Sequence, residues 1–288
     1  MELVVNTTSG DVEPRALAAA VESGGFDGIS CSDHFFRTQA YPHLWVTLAA
    51  MATATARISI GSAFANNLFR SPVEFAQASL SMQQLSGGRF HAGLGAGWLA
   101  TEALGSGLEF PDPATRARRY REAVMIVRDL FANGSCTFAG EFYKIDCPAV
   151  PSVDRPPPLA VSVGGPWTIR NVAPLADRVE LKFGRSTRDG DLDFTELAAA
   201  SRDDLRRMIE QVRQVAPTVP IGAFAMIAVG DEPEVDRVRT MLGDGLYSRF
   251  VGEPARVLEN LRDLGELGID RVQLTDLVKG SSLRLAPV

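Results

Sequence analysis

The segment Ser32-Asp33-His34 holds the side chains in this sequence that are best suited to acid–base chemistry. A neutral imidazole can give or take a proton near neutral pH, and the neighbouring Asp33 can fix the surroundings of the ring. The segment directly follows a short apolar run, residues 28–31, that is typical of a buried strand. We therefore predict that His34 and Asp33 are catalytic, with a loop histidine bonded to backbone as the alternative.

The other histidines and the cysteines favour structural roles. We expect surface packing for His43 and a buried structural role for His91, and the three histidines lack the H-x-H or H-x-x-x-H spacing of a metal site. Cys31, Cys136 and Cys147 form no C-x-x-C pair and are odd in number, which favours neither a disulfide framework nor a zinc ribbon. Cys31 lies within an apolar run, so we expect it to be buried and inert.

A glycine-rich exit from an apolar run reads Gly93-Leu94-Gly95-Ala96-Gly97-Trp98. Glycines at such an exit let the backbone approach a flat ligand or adopt positive φ, and Trp98 can stack on a ring. A dinucleotide fingerprint needs a third glycine at position 98 and a helix beginning there, and we expect neither. The segment therefore disfavours a Rossmann nicotinamide site.

A second glycine turn reads Val163-Gly164-Gly165-Pro166-Trp167-Thr168, with the proline where a helix would begin. Free amide N–H groups at a helix N-terminus attract anions, and barrels commonly hold a phosphate at such a turn. An ordinary tight turn is the alternative. Arg185 and Arg188, in the polar segment that follows the next strand, can add positive charge.

Strand-like and helix-like runs alternate along the whole chain. The strand-like runs are residues 3–6, 28–31, 58–65, 89–94, 159–163, 178–182, 221–229 and 271–275. The helix-like runs are residues 14–23, 44–55, 72–85, 116–131, 167–176, 202–215, 234–242 and 254–267. Eight strands separated by helices indicate parallel pairing through right-handed crossovers. We predict an α/β fold in which residues 1–288 form one (β/α)₈ TIM barrel domain, with an open doubly wound sheet as the alternative.

Three features depart from a regular barrel. Residues 135–146 have strand-like residues on both sides of Ala139-Gly140, which predicts an inserted hairpin. Residues 183–201 are polar and follow the sixth strand, so they are a candidate lid. The chain stops 13 residues after Thr275, which leaves little room for an eighth helix unless the extra helix before the last strand fills the gap.

Composition excludes several classes of protein. With 45% hydrophobic and 22% charged residues, the chain has the composition of a globular protein. Its net charge of −6, from 29 basic and 35 acidic residues, is the wrong sign for a protein that neutralises phosphates, so nucleic acid and anionic membranes are disfavoured partners. We find no basic leader and no apolar run of about 18 residues, which favours a cytoplasmic location.

Taken together, these stretches resemble the bacterial luciferase-like superfamily of flavin and deazaflavin oxidoreductases. The resemblance covers nearly the whole chain, and its most specific part is residues 85–98, continued by Glu102. Further matching segments are Gly24-Gly25-Phe26-Asp27-Gly28, Ser32-Asp33-His34, Arg57-Ile58-Ser59-Ile60-Gly61, Arg70-Ser71-Pro72 and Val251-Gly252-Glu253-Pro254. The resemblance implies a luciferase-like (β/α)₈ barrel with a flavin-type cofactor at the carboxyl ends of its strands.

The resemblance also implies a set of site residues. In related deazaflavin enzymes the residue matching His34 lies at the reacting face, and a non-proline cis peptide matches Ala63-Phe64. Residues matching Ala96 and Gly97 line the cofactor ring, and those matching Gly164 and Gly165 meet its phosphate. The implied cofactor-binding residues are Ala63, Phe64, Ala96, Gly97, Trp98, Thr101, Glu102, Gly164, Gly165 and Thr168.

The order of the segments is more similar to the branch that uses coenzyme F420, a 5-deazaflavin, than to the branch that uses reduced flavin mononucleotide (FMN) with oxygen. This implies hydride transfer between F420 and a small organic substrate, with His34 moving the accompanying proton. An FMN-dependent monooxygenase is the first alternative, and a non-catalytic flavin-binding protein is the second.

Two residues depart from the sugar-phosphate dehydrogenases of this superfamily, which have Trp where this chain has Thr38 and Glu where it has Trp98. These departures disfavour a sugar phosphate. Trp98, Phe64 and Phe36 instead favour an apolar or aromatic pocket, with packing inside the barrel as the alternative. The apolar helix at residues 44–55 matches the dimer contact of related barrels, which implies a homodimer. A separate reductase that supplies reduced cofactor is a further possible partner.

Overall fold

The chain folds as a set of strands alternating with helices in a computed structural model that describes residues 1–7, 12–36, 40–182, 187–188 and 191–286. The strands are β1 (Glu2–Thr7), β2 (Gly28–Cys31), β3 (Ser59–Ser62), β4 (Ala65–Asn66), β5 (Phe90–Gly95), β6 (Cys136–Ala139), β7 (Lys144–Cys147), β8 (Leu159–Val163), β9 (Arg178–Leu181), β10 (Thr187–Arg188), β11 (Asp191–Leu192), β12 (Ile221–Val229), β13 (Val251–Gly252) and β14 (Arg271–Asp276). The helices are α1 (Pro14–Ser23), α2 (Leu44–Thr53), α3 (Pro72–Leu85), α4 (Ala100–Gly105), α5 (Pro113–Asn133), α6 (Pro166–Val172), α7 (Phe194–Ala199), α8 (Arg202–Val215), α9 (Pro233–Leu242) and α10 (Pro254–Glu266).

Parallel strands close into a barrel in the order β1, β2, β3, β5, β8, β9, β12 and β14. The ring closes because β14 pairs with β1, placing Val272 opposite Leu3, while β9 pairs with β12, placing Val179 opposite Ile221. An open doubly wound sheet would leave two edge strands of this ring unpaired. The predicted (β/α)₈ class is therefore confirmed, and the open sheet is excluded.

Local signals in the sequence fix the ends of the longer helices. α3 begins at Pro72 after the capping residue Ser71, and α5 begins at Pro113 after the capping residue Asp112. Proline suits the first turn because the N–H it lacks would have no partner inside the helix, and Ser and Asp accept bonds from the free N–H groups there. α5 ends at Asn133 and is capped by Gly134, whose φ of 71° favours glycine. These signals explain why most predicted boundaries lie within three residues of the observed ones.

The apolar core lies between the strands and the helices, whereas much of the barrel interior is polar. Ile29, Ile60 and Phe90 on the strands are fully buried with Tyr120 on α5. Inside the barrel the residues come from alternate strand positions, because successive side chains of a strand point to opposite faces. Buried polar residues that the strands contribute include Asn6, Ser30, Glu180, Arg271 and Gln273.

The amino ends of the strands surround a buried ionic cluster. Arg271, which is 2% exposed, donates to His91 Nδ1 at 2.6 Å and lies 3.7 Å from a Glu2 carboxylate oxygen. Burial, together with the charge of Arg271, lowers the pKa of His91 to about 3. Glu180 is 1% exposed, and burial raises its pKa to about 7, although Arg271 and Arg178 favour its charged form. His91 therefore serves this cluster as a neutral acceptor.

The additions to the barrel agree in part with expectation. The predicted hairpin is present as β6 and β7, which pair Phe138 with Ile145. After β14, a 3₁₀ turn at Ser282–Leu285 takes the place of an eighth helix, and the chain then reaches Ala286 near Gly24 at the end of α1. The candidate lid at residues 183–201 lies partly outside the described residues, and its described part ends in α7.

One short helix was not predicted. No helix begins at Trp98, as expected, but α4 begins two residues later, at Ala100. Ala100, Ala103 and Leu104 are good helix formers, and the helix buries Ala103 and Glu102 against the barrel. Within the described ranges, no helix is both long and apolar enough to cross a membrane.

Candidate active site

A cavity of about 510 Å³ opens where the carboxyl ends of the barrel strands meet. Twelve residues were predicted for the site, and ten of them line this cavity: Asp33, His34, Ala63, Phe64, Ala96, Gly97, Trp98, Gly164, Gly165 and Thr168. Thr101 is exposed on α4, and Glu102 is buried behind the cavity wall. The structure thus brings together residues that lie up to 135 positions apart in the chain.

His34 is held in the cavity wall by a carboxylate. Its Nδ1 lies 3.0 Å from Glu102 Oε2, and its side chain is 11% exposed. The ring lies between Tyr41, with centroids 5.5 Å apart, and Trp98, which meets it edge-on at 5.8 Å. Because an ionised carboxylate only accepts hydrogen bonds, Nδ1 carries the proton and Nε2 is the ring nitrogen left for a ligand.

Glu102 positions His34 instead of lining the cavity. It is fully buried, and its Oε1 accepts bonds from the backbone N–H groups of Phe35 and, at 3.3 Å, of Phe36. Glu102 lies in the first turn of α4, where the helix dipole favours negative charge. Both carboxylate oxygens are therefore committed to the loop that carries His34.

Asp33 bonds to Asn66 and Arg70 and not to the His34 ring. Its Oδ2 accepts a bond from the Asn66 N–H at 2.7 Å, and both of its oxygens contact the Arg70 guanidinium. Arg70 in turn lies over the Trp45 ring at 5.6 Å. Asp33 thus ties the end of β2 to β4 and to the start of α3, and it influences His34 through the backbone.

The connection between β3 and β4 forms a second wall. The peptide bond between Ala63 and Phe64 is cis, as the resemblance implies. A Cβ atom on Gly93 would lie 2.0 Å from the Ser62 carbonyl oxygen, and one on Gly95 would lie 3.0 Å from Phe64 Cβ. The glycines of β5 are therefore required for this close backbone approach.

The remaining predicted residues form small-residue surfaces at two strand ends. Gly97 has a φ of 79°, and a Cβ atom there would lie 2.5 Å from Asn66 Oδ1, so Ala96 and Gly97 present a wall nearly without side chains. At the end of β8, a Cβ atom on Gly165 would meet nothing within 4 Å. Thr168 Oγ1 donates to the Gly165 carbonyl oxygen at 2.9 Å and fixes this turn.

The sequence reasoning missed several residues of the cavity. They are Asn6, Ser32, Tyr41, Asn66, Arg116, Ser162, Lys182, Phe224, Met226, Tyr247, Thr275, Asp276 and Leu277. Strand periodicity was an available signal for Lys182, since it lies two positions after the inward-facing Glu180. Phe36, expected in an aromatic pocket, packs near Gly105 of α4 and does not line the cavity.

Two cationic side chains, Arg116 and Lys182, line the cavity. Arg116 lies over the Phe110 ring at 4.0 Å and donates to the Pro111 carbonyl oxygen. Lys182 follows β9, and burial lowers the pKa of its ammonium group to about 8. No hydrogen bond or ion pair joins that ammonium group to any residue the structure describes. The cavity therefore combines a proton-carrying imidazole, a flat wall and an uncompensated positive charge.

The profile of the luciferase-like monooxygenase family matches residues 12–239. An F420-dependent glucose-6-phosphate dehydrogenase from Intrasporangium calvum is 28% identical over 297 residues, which cover 90% of this chain and 88% of that protein. A protein of the same name from Amycolatopsis mediterranei is 33% identical over 162 residues, 53% of this chain and 49% of that protein. The chain thus spans only about half the length of the second relative.

Two solved structures have the same fold. An F420-dependent secondary alcohol dehydrogenase in complex with an F420-acetone adduct superposes with a TM-score of 0.75 at 17% identity, covering 99% of this chain and 96% of that chain. A monooxygenase from Streptomyces bottropensis gives 0.76 at 18% identity over the same shares. Since the family profile matches most of the chain, the protein belongs to the luciferase-like monooxygenase family.

Proposed function

We propose that the protein is an F420-dependent oxidoreductase that transfers a hydride between the deazaflavin and a small organic substrate. The observation that carries this proposal is the pairing of His34 with the buried Glu102 beside a flat wall of small residues. The relatives named as F420-dependent dehydrogenases support the choice of cofactor.

The residues of the cavity fit a flat cofactor. Ala96 and Gly97 leave room for a ring to approach the backbone, and Ala63, Phe64 and Trp98 bound the same space. The space in front of Gly165 would accept the cofactor phosphate, with Gly164 and Thr168 beside it. When bound, a deazaflavin supplies a carbon that gives or takes hydride in one two-electron step.

His34 carries the proton that accompanies the hydride. Glu102 accepts from Nδ1 and so leaves Nε2 as the atom that holds the exchangeable proton. In the reducing direction the imidazolium gives this proton to the substrate oxygen or nitrogen, and in the oxidising direction the neutral ring accepts it. Glu102 stabilises the imidazolium electrostatically, since a buried carboxylate is a strong partner for a nearby cation. Asp33 holds the loop in place through Arg70.

The body of the substrate is apolar or aromatic. The rings of Phe64 and Phe224 contact each other in the cavity wall, with centroids 5.8 Å apart, and Met226 and Trp98 add apolar surface. Trp98 occupies the position where sugar-phosphate dehydrogenases of the superfamily have Glu, so a sugar phosphate lacks one of its polar contacts here. Thr38, the second departure, lies outside the described residues.

The direct test is binding of the purified apoprotein to F420 and, in parallel, to FMN, followed by quenching of cofactor fluorescence. We expect a micromolar or tighter Kd for F420 and at least tenfold weaker binding of FMN. Preference for FMN, with oxygen consumed during turnover, would replace this function by that of a monooxygenase. Binding of neither cofactor would remove the site assignment while leaving the barrel fold.

We also propose that two copies of the chain associate through α2. Val46 on this helix is 68% exposed, and it is an apolar residue on a helix that is otherwise largely apolar. Light scattering that shows a dimer, converted to a monomer by Val46→Glu, would support this contact, and a wild-type monomer would exclude it. We further propose that a separate reductase supplies the reduced cofactor.

A further inference from the structure

Lys182 is a cation inside the barrel that the described residues leave uncompensated. It follows β9 and faces the cavity, on the same side of the strand as the buried Glu180 two positions earlier. Its Cβ lies 3.4 Å from the position that a Cβ atom on Gly164 would occupy, so it stands beside the end of β8. Its ammonium group makes no hydrogen bond or ion pair with a described residue.

Other partly buried cations of the chain have partners. Arg89 donates five hydrogen bonds, to the Ser86, Ile58, Ala52 and Thr55 carbonyl oxygens and to Thr55 Oγ1. Arg70 is paired with Asp33, and Arg271 donates to His91. An unpaired ammonium group away from bulk water is costly, so such a group is a candidate for ligand binding.

The acidic residues nearest the cavity are committed elsewhere. Asp276 accepts bonds from the Gly280 and Ser282 N–H groups, and Asp33 is held by Arg70. Glu102 is used by His34 and by the backbone of the loop. Since these carboxylates, among the residues that the structure describes, have partners, a bound molecule is our candidate for the anion that compensates Lys182.

We infer that the substrate is an amphipathic carboxylate whose acidic group pairs with Lys182 while its apolar body packs against Phe64 and Phe224. This inference rests on the proposed function, because it assigns the substrate class for the same cavity. A single ammonium group suits a monoanion, whereas phosphate binding ordinarily uses several donors at once. Arg116, which also lines the cavity, does not offer a second free cation. Its guanidinium stacks on the Phe110 ring and donates to the Pro111 carbonyl oxygen.

The test uses neutral and anionic probes of nearly the same shape. Binding of 4-acetylbenzoate and 3-benzoylpropionate is compared with that of their primary amides by calorimetry, on both the F420-loaded protein and the apoprotein. We expect at least one acid to bind at least tenfold more tightly than its amide to wild type. Lys182→Met should reduce that ratio to about one, and Lys182→Arg should retain most of it.

F420 affinity separates this inference from the proposed function. Lys182→Met should leave the Kd for F420 within about twofold of wild type, because Lys182 is reserved for the substrate. A large loss of F420 binding in this variant would assign Lys182 to the cofactor and overturn the inference. Wild-type protein that binds neither acid more tightly than the matching amide would also overturn the inference. Failure of wild-type protein to bind F420, with the acid preference intact on the apoprotein, would remove the proposed cofactor and leave the carboxylate site.

Discussion

The two ends of the barrel interior differ in whether their buried cations have charged or polar partners. At the amino ends of the strands, Arg271 faces His91, Glu2 and Glu180 in one cluster. At the carboxyl ends, Lys182 has no partner among the described residues, although it directly follows β9 and is only two positions beyond Glu180. Charges that compensate one another maintain the architecture, whereas a charge left alone in a cavity points to a ligand. The predictions below test the chemistry at the carboxyl ends and the charge cluster at the amino ends in turn.

The largest effect should come from His34→Asn. The Asn amide can still donate to Glu102, but it lacks the Nε2 atom that carries the exchangeable proton. General acid–base catalysis typically contributes about 10²–10⁴-fold, so we expect turnover to fall by that factor. Stopped-flow measurement of F420 oxidation or reduction tests this, with the Kd for F420 as the control. Turnover within about threefold of wild type would exclude His34 as the proton carrier.

The second effect concerns stability. Arg271→Met leaves Arg178 as the remaining counter-charge for Glu180 and Glu2. We expect a loss of about 3 kcal/mol in the free energy of unfolding, since breaking a buried charge cluster is costly. Lys182→Met is the matched control: it removes an uncompensated charge, so the free energy of unfolding should stay the same or rise. Urea unfolding of both variants measures the difference. Equal destabilisation by the two would contradict the contrast between the two ends.

A smaller effect is expected for Glu102→Gln. The amide is isosteric and keeps one acceptor oxygen, but it loses the negative charge that stabilises the His34 imidazolium. We expect turnover to fall about tenfold, which corresponds to about 1.4 kcal/mol. If the decrease is as large as for His34→Asn, Glu102 has a direct part in proton transfer and is more than a positioning residue. The test compares kcat for the two variants at equal saturation with F420.

The smallest effect is a change in the pH dependence of stability. Burial raises the pKa of Glu180 to about 7 from an ordinary value of 4.5, so the unfolded chain ionises first as the pH rises. The free energy of unfolding of the wild type therefore decreases as the pH rises from about 4.5 to about 7, because of Glu180. The unfolding free energy of Glu180→Gln minus that of wild type should increase across this window and level off above it. The lowered pKa of His91 makes stability rise with pH between about pH 3 and 6.5. This contribution is present in both proteins, so it cancels when their free energies of unfolding are subtracted.

Much of the fold could be predicted because its signals are local and repeated. Each barrel strand is a short apolar run, and long helices such as α3 and α8 begin at capping residues that the sequence displays. α4 was missed because it has only six residues and follows a glycine-rich segment. Its buried residues, Glu102 and Ala103, are held by tertiary contact, which helix propensity in a short window does not report.

The candidate site was predicted where glycines and a histidine follow strands, and missed where a role depends on distant partners. The contact between His34 and Glu102 spans 68 positions, so no local pattern favours Glu102 over Asp33 as the partner of the imidazole. The compensation of Arg70 by Asp33 likewise becomes visible only when β2 and α3 meet. Lys182 could have been predicted from the sequence, because strand periodicity places it on the same side as Glu180, directly after β9.

The most direct test of the account is a crystal structure of the protein with F420. The account predicts a ring bounded by Ala96, Gly97 and the Ala63–Phe64 peptide, with His34 Nε2 facing the ring edge and the phosphate beside Gly165. Lys182 should remain without contact to the cofactor and open to a substrate carboxylate. Cofactor bound outside this cavity, or bound within it with His34 remote from the ring, would contradict the account.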